Sequence, residues 1–189
     1  IFKNDISSNY LSENNHDFLI ESSLIKNLST IDNLLRPYGV SSIEYDMIIG
    51  STNSYTSFKY TLNPRNFLYV IDGTIDITLT IPDNKKYLQI EKDYNNNEFY
   101  STLDIYNVTD NFIKEYNKIK FMKIVLNKGD LLYIPSYWFY SLKLMTPQSN
   151  VINFKYTTYL SNISILPTII QSYLQNKNIK NNFLKLYNI

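Results

Sequence analysis

The chain has 189 residues, with 18 Lys and Arg against 17 Asp and Glu, one His and no Cys. That stock excludes Cys-ligated zinc, iron–sulfur sites, Cys nucleophiles and any iron triad built on two imidazoles; a Ser–His–Asp triad would have to use His16. A formal charge of +1 gives no field that would recruit nucleic acid, and no apolar run is long enough to span a bilayer.

The length fits a single domain over residues 1–189. There are 25 Asn, 25 Ile and 18 Tyr but no Ala. These are the residues of A/T-rich codons, so the bias points to the source genome before it points to function. It discounts the runs Asn95-Asn96-Asn97 and Asn181-Asn182, and the sequons at Asn27, Asn107 and Asn162, as chance products. Folding without disulfides fits an intracellular setting. The chain begins at Ile1 instead of Met, as a fragment or processed product would.

Residues 1–18 are polar and are expected to be an irregular lead-in. Ile20, Leu24, Leu28, Ile31 and Leu35 recur at helical spacing, and Pro37 and Gly39 end that helix. Residues 43–49 are expected as a strand. Phe67 to Ile71, the Asp72-Gly73 turn and the alternation of Ile75, Ile77, Leu79 and Ile81 predict a β-hairpin closed by Pro82. Residues 84–100 are expected as loop and 109–117 as a short helical turn. Strands follow at 121–127, 131–134, 138–145 and 151–159. Pro167 is placed to open a C-terminal helix through Ile170 and Leu174, with a second carrying Ile179, Phe183 and Leu186.

Residues 129–142, GDLLYIPSYWFYSL, are the most specific string in the chain. They resemble the second conserved motif of JmjC-like cupins, in the asparaginyl hydroxylase branch of these double-stranded β-helix oxygenases. There the motif runs Gly-Asp-Val-Leu-Tyr-Ile-Pro, two residues, Trp-Trp-His. Residues 48–60 are similar to the strand before the family's first metal motif, 66–73 to the strand after it, and 151–156 to the last barrel strand. The resemblance implies a mostly β double-stranded β-helix, barrel about 43–160, with flanking N-terminal and C-terminal helices, the tail about 164–189.

The resemblance also implies where Fe(II) and 2-oxoglutarate would bind, and there the sequence departs from it. The last iron His falls on Tyr140. The His-x-Asp pair falls on Tyr60-Thr61-Leu62 counted from Asn66, or on Lys59-Tyr60-Thr61 counted from Gly50. The Lys that grips 2-oxoglutarate falls on Ile75. Asn153, Trp138, and Thr56 or Ser57 are retained. A degenerate pocket of Tyr60, Ile75, Tyr140 and Asn153 is therefore expected, with the two phenols facing each other, no catalytic or metal-binding residue and no cofactor. His16 and Lys59 are expected at the surface, and Glu44 and Asp46 on a solvated strand face.

The expected function is a non-catalytic structural or protein-interaction module, such as a virion or assembly component of a large DNA virus. It would contact a protein partner or a second copy through the helical tail, with no nucleic acid and no membrane span in this chain. The alternatives are an Fe(II)/2-oxoglutarate-dependent protein hydroxylase with its ligands elsewhere, and a small-ligand-binding cupin.

Overall fold

The computed structural model describes residues 10–93, 98–167, 170, 173 and 174. Asn95 to Asn97, Asn181-Asn182 and the second tail helix expected around Ile179, Phe183 and Leu186 lie outside the described residues.

Two antiparallel sheets pack face to face as a jelly-roll sandwich. The first contains β1 (Leu11–Ser12), β2 (Val40–Gly50), β11 (Asn150–Thr158), β4 (Arg65–Asp72) and β9 (Leu131–Ile134), in that spatial order. The second runs β6 (Ile90–Asp93), β7 (Glu98–Ser101), β3 (Lys59–Thr61), β10 (Phe139–Leu144), β5 (Thr74–Thr80) and β8 (Met122–Asn127). Between the sheets lie Ile48, Leu68, Val70, Ile75, Ile77, Leu142, Leu144 and Val151. Each such side chain contributes about 1.5–3 kcal/mol by leaving water.

The outer faces are covered too. The first sheet turns Ile152, Phe154 and Tyr156 toward α1 (His16–Glu21), a 3-10 turn at Leu24–Leu28 and α2 (Ser29–Leu35). Asp32 of α2 fastens that layer: it pairs with Arg36 and accepts a 2.7 Å hydrogen bond from the Tyr156 hydroxyl. Burial, reinforced by this carboxylate, pushes the Tyr156 phenol well above its ordinary pKa. The second sheet turns Phe58, Tyr60, Phe99 and Phe139 toward Leu88, Leu103, Ile105 and Ile119, in the excursion between β5 and β8 that includes α3 (Ile113–Tyr116).

Several expectations are corrected. The segment 66–81 is not a hairpin: β4 and β5 belong to different sheets, and Gly73 turns the corner between them. Its φ is +81°, and a Cβ there would meet Thr146 Oγ1 at 2.5 Å, so glycine is required. The single helix expected from Ile20 to Leu35 breaks at Ser23, whose φ of 58° is left-handed. The lead-in contains a strand, β1, paired to the end of β2. The loop expected at 84–100 contains part of a 3-10 turn (Pro82–Tyr87) and β6, and its end runs into β7. The tail helix α4 (described over 159–167) starts directly after β11, so Pro167 does not open it.

Candidate functional site

Antiparallel register fixes which side chains share the barrel interior, because directly opposed residues point to the same face. Tyr140 on β10 lies opposite Lys59 on β3 and Leu79 on β5. Asn153 on β11 lies opposite Asp46 on β2 and Leu68 on β4. Ile75 lies opposite Leu144 and Leu126 and is fully buried among apolar neighbours. Tyr140, Ile75 and Asn153 therefore all face the barrel interior, although Ile75 pairs with Leu144, further along β10 than Tyr140. Asn153 Nδ2 donates to the Tyr140 hydroxyl at 3.4 Å.

Tyr60 does not join them. It points out of the barrel, stacked on Phe99 with ring centroids 4.9 Å apart and edge-on to Phe139 at 4.8 Å. Lys85 Nζ donates to its hydroxyl at 3.4 Å. The two phenols expected to face each other are thus on opposite faces of one sheet. The inward positions of β3 are Lys59 and Thr61, which is the register counted from Gly50.

Lys59 is not a surface charge. Its side chain is 2% exposed, and its ammonium pairs with Glu13 Oε2 at 2.8 Å. Asp46 is not on a solvated face either: it is buried and accepts a 2.5 Å hydrogen bond from the Asn14 N–H. Burial raises its pKa, and the charges of Lys155 and Lys59 and the Asn14 N–H oppose that rise without cancelling it. Lys155 is buried on the same interior face, opposite Glu44 and Asn66.

Asn66 adds a further buried amide, donating to Thr61 Oγ1 at 3.4 Å. The side-chain oxygens of Asn66 and Asn153 are buried with no hydrogen-bond partner. The lead-in is laced along β2 beside this cluster. The Asn15 side chain donates to Met47 O at 2.7 Å and accepts from Met47 N at 2.9 Å. His16 Nδ1 accepts from the Tyr45 N–H at 3.0 Å, so this half-buried imidazole holds backbone and is not the exposed residue expected.

Could these residues hold iron? Lys59, Thr61 and Tyr140 stand on the inward faces of β3 and β10. An ammonium repels a metal cation, and hydroxyls are poor replacements for imidazole and carboxylate. Among the described residues, no group of three His, Cys, Asp or Glu is placed to bind a metal ion. Ile75 offers nothing to a 2-oxoglutarate carboxylate. The residues present do not fit iron or its co-substrate.

Sequence reasoning weighed Lys59 and Asp46 and sent both to solvent, and it did not single out Glu13 or Lys155. The signal was alternation. Phe58-Lys59-Tyr60-Thr61-Leu62 alternates apolar with polar, a pattern that normally puts the polar side in water. Here both faces of the sheet are covered, so the polar set faces the barrel instead.

Asp46 yields a pH test. A carboxyl whose pKa is higher folded than unfolded contributes stability fully present below its unfolded value and lost as pH rises through its folded value. The stability of wild type relative to Asp46→Asn is therefore expected to decline as pH rises from about 4 toward 7, as urea unfolding at each pH would show. A flat difference would contradict the burial of an ionising Asp46.

The sequence profile of the cupin-like domain family matches residues 5–161. No curated protein matches the chain by sequence. Among solved structures it is similar to Fe(II)-HppE with the alternative substrate (S)-1-HPP, at 10% identity and a TM-score of 0.35 over 60% of this chain and 42% of that one. It is similar to a cupin superfamily protein from Desulfitobacterium hafniense, at 10% identity and a TM-score of 0.36 over 61% and 68%. KdgF from Halomonas sp. gives 11% identity and a TM-score of 0.35 over 64% and 72%. The chain spans less than half the length of the first of these.

Proposed function

The chain belongs to the cupin-like domain family, and we propose that it is a non-catalytic member serving as a protein-interaction module. The observation that carries this reading is the interior of β3 and β10. The places where the resembling oxygenases hold iron carry Lys59, Thr61 and Tyr140, and the Lys59 ammonium is neutralised by Glu13 at 2.8 Å. A protein cation occupies the region of the metal and ties the lead-in to the barrel.

The interaction surface is the outward side of α4 and the helical residues beyond it. Leu160 is 81% exposed and Ile163 70%, and Tyr159, Leu166, Ile170, Tyr173 and Leu174 extend the stripe. Exposed apolar groups in such a row are typical of contact surfaces. The complementary surface is a protein face with apolar side chains. The A/T-rich composition supports a source such as a large DNA virus, where the module would act in the particle or its assembly.

Substituting Leu160→Asp and Ile163→Asp together tests the surface. Both side chains are exposed, so the fold should persist by circular dichroism. The double variant is expected to lose the associated protein that wild type retains. Equal association of wild type and variant would refute the assignment of this stripe.

A further inference from the structure

The second sheet parts at one end. β3 and β7 stay paired up to the bond from the Ser101 N–H to Phe58 O at 2.7 Å. Beyond it the chain after β7 bonds to the residue before β6, Thr102 N–H to Gln89 O at 2.9 Å, while the chain before β3 stays on β10. A cavity of about 270 Å³ opens between them, lined by Tyr55, Phe58, Ser101, Leu103, Ile105 and Tyr106 among others. Phe58, Leu103 and Ile105 belong to the outer cluster of this sheet, so the cavity is separate from the Tyr140–Asn153 contact inside the barrel.

One flank of the cavity is an unpaired strand edge. Tyr55 bridges Lys143 of β10. The bonds on either side of that bridge run from Leu144 N to Ser54 O and from Thr56 N to Leu142 O, both at 2.9 Å. In an antiparallel pair this leaves the N–H and C=O of Tyr55 on the side away from β10. Among the described residues, no backbone bond engages either group. Side chains hold the other flank at a distance. The Tyr55 hydroxyl donates to Asp104 Oδ2 at 2.7 Å and accepts from Asn107 Nδ2 at 2.8 Å. Asp104 Oδ1 accepts from the N–H groups of Tyr106 and Asn107, and the Tyr55 and Tyr106 rings lie 4.4 Å apart. The loop 104–107 is fastened to the Tyr55 side chain and leaves the Tyr55 backbone uncovered.

These features define what fits. A free N–H and C=O on one residue complement the C=O and N–H of one residue of an extended chain, as in strand addition. Phe58, Leu103, Ile105 and the two Tyr rings form a lining for an aromatic side chain. The volume is below the roughly 300–1,000 Å³ of pockets for drug-sized molecules and suits one residue. Charge restricts the class further. Burial raises the Asp104 pKa, but the bonds from Tyr55, Tyr106 and Asn107 outweigh it and hold the carboxyl below its ordinary value. An anion with its oxygens already engaged favours a neutral residue over a chain terminus carrying a carboxylate.

We propose that this cleft binds an internal aromatic residue of an extended peptide, its N–H and C=O paired with the C=O and N–H of Tyr55 and its ring against Phe58, Leu103 and Ile105. The site is independent of the α4 stripe: Leu160 and Ile163 form no part of its described wall, so failure of either assignment leaves the other standing.

The probe is N-acetylphenylalaninamide, titrated into the full chain and followed by amide chemical shifts. Wild type is expected to bind it saturably and one-to-one, with the shifts centred on Tyr55, Leu103 and Ile105. N-acetylalaninamide, which lacks the ring, should bind about tenfold more weakly or worse. N-acetyl-N-methylphenylalaninamide, which keeps the ring and lacks the N–H, should bind about fivefold more weakly or worse. Both comparisons use the wild-type protein, so neither depends on a variant folding. Ile105→Trp, which fills the cavity, should abolish binding while circular dichroism shows the fold retained. Failure of wild type to bind the probe, shifts centred elsewhere, or equal binding of the probe and its N-methyl analogue would overturn the proposal.

Discussion

Lys59→Met is expected to cost about 3–5 kcal/mol of folding stability, because it breaks a buried charge pair and leaves the acidic partners behind. The Lys59 side chain is almost fully buried while Glu13 is 24% exposed, so the two partners are not equivalent. Glu13 can turn partly to water once Lys59 is gone. Asp46 cannot, because it is held inside the barrel by Asn14 and its strand neighbours. Glu13→Gln should therefore cost less than Lys59→Met. A double-mutant cycle in urea should give a coupling of at least about 1 kcal/mol between positions 13 and 59. Lys59→Met with a loss under about 0.5 kcal/mol would mean that the lysine sits at the surface after all.

Tyr140→Ala is expected to cost about 3–5 kcal/mol, the range for removing a large aromatic side chain from a packed core. Tyr140 is 1% exposed and packs against the inner core with Ile75, Ile77 and Leu142. Tyr140→Phe should cost less than Tyr140→Ala, since it keeps the ring and loses the hydroxyl that accepts the long hydrogen bond from Asn153. This pair of results separates packing from polar chemistry at one position. A large loss in the Phe variant, with little further loss in Ala, would show that the hydroxyl matters more than the ring.

How far was this visible in the sequence? The string Gly129 to Pro135 specified its own structure: Gly129 has a φ of +90°, β9 follows, and Pro135 ends it. Trp138 packs partly buried against the inner core as the resemblance implied. Most strand positions followed from alternation. Strand partners did not, because period-two patterning is the same whether a chain folds back on its neighbour or crosses to the opposite sheet. Asp72-Gly73 carries a hairpin signal, and the structure uses it as a corner. The break at Ser23 was also hidden, since a left-handed Ser has no sequence mark.

The site itself was half legible. Tyr140, Ile75 and Asn153 were placed on the interior, but Tyr60 was placed one residue out of phase. In a strand, one residue is the difference between core and the opposite face. The charges of the interior escaped notice for a related reason. Lys59, Asp46 and Lys155 each alternate with large apolar residues, as surface charges do. Only the covering of both outer faces, by α1 and α2 on one side and by the β5–β8 excursion on the other, reverses which side is the interior. That covering is built from contacts far apart in the chain.

The central claim is that the positions of iron and its co-substrate have been taken over by the protein's own charges and packing. Its most direct test is an anaerobic titration of the protein with Fe(II) in the presence of 2-oxoglutarate, followed by calorimetry and by thermal unfolding. The expected result is no saturable one-to-one binding of iron and no stabilisation by either component. Stoichiometric Fe(II) binding that 2-oxoglutarate strengthens would contradict it.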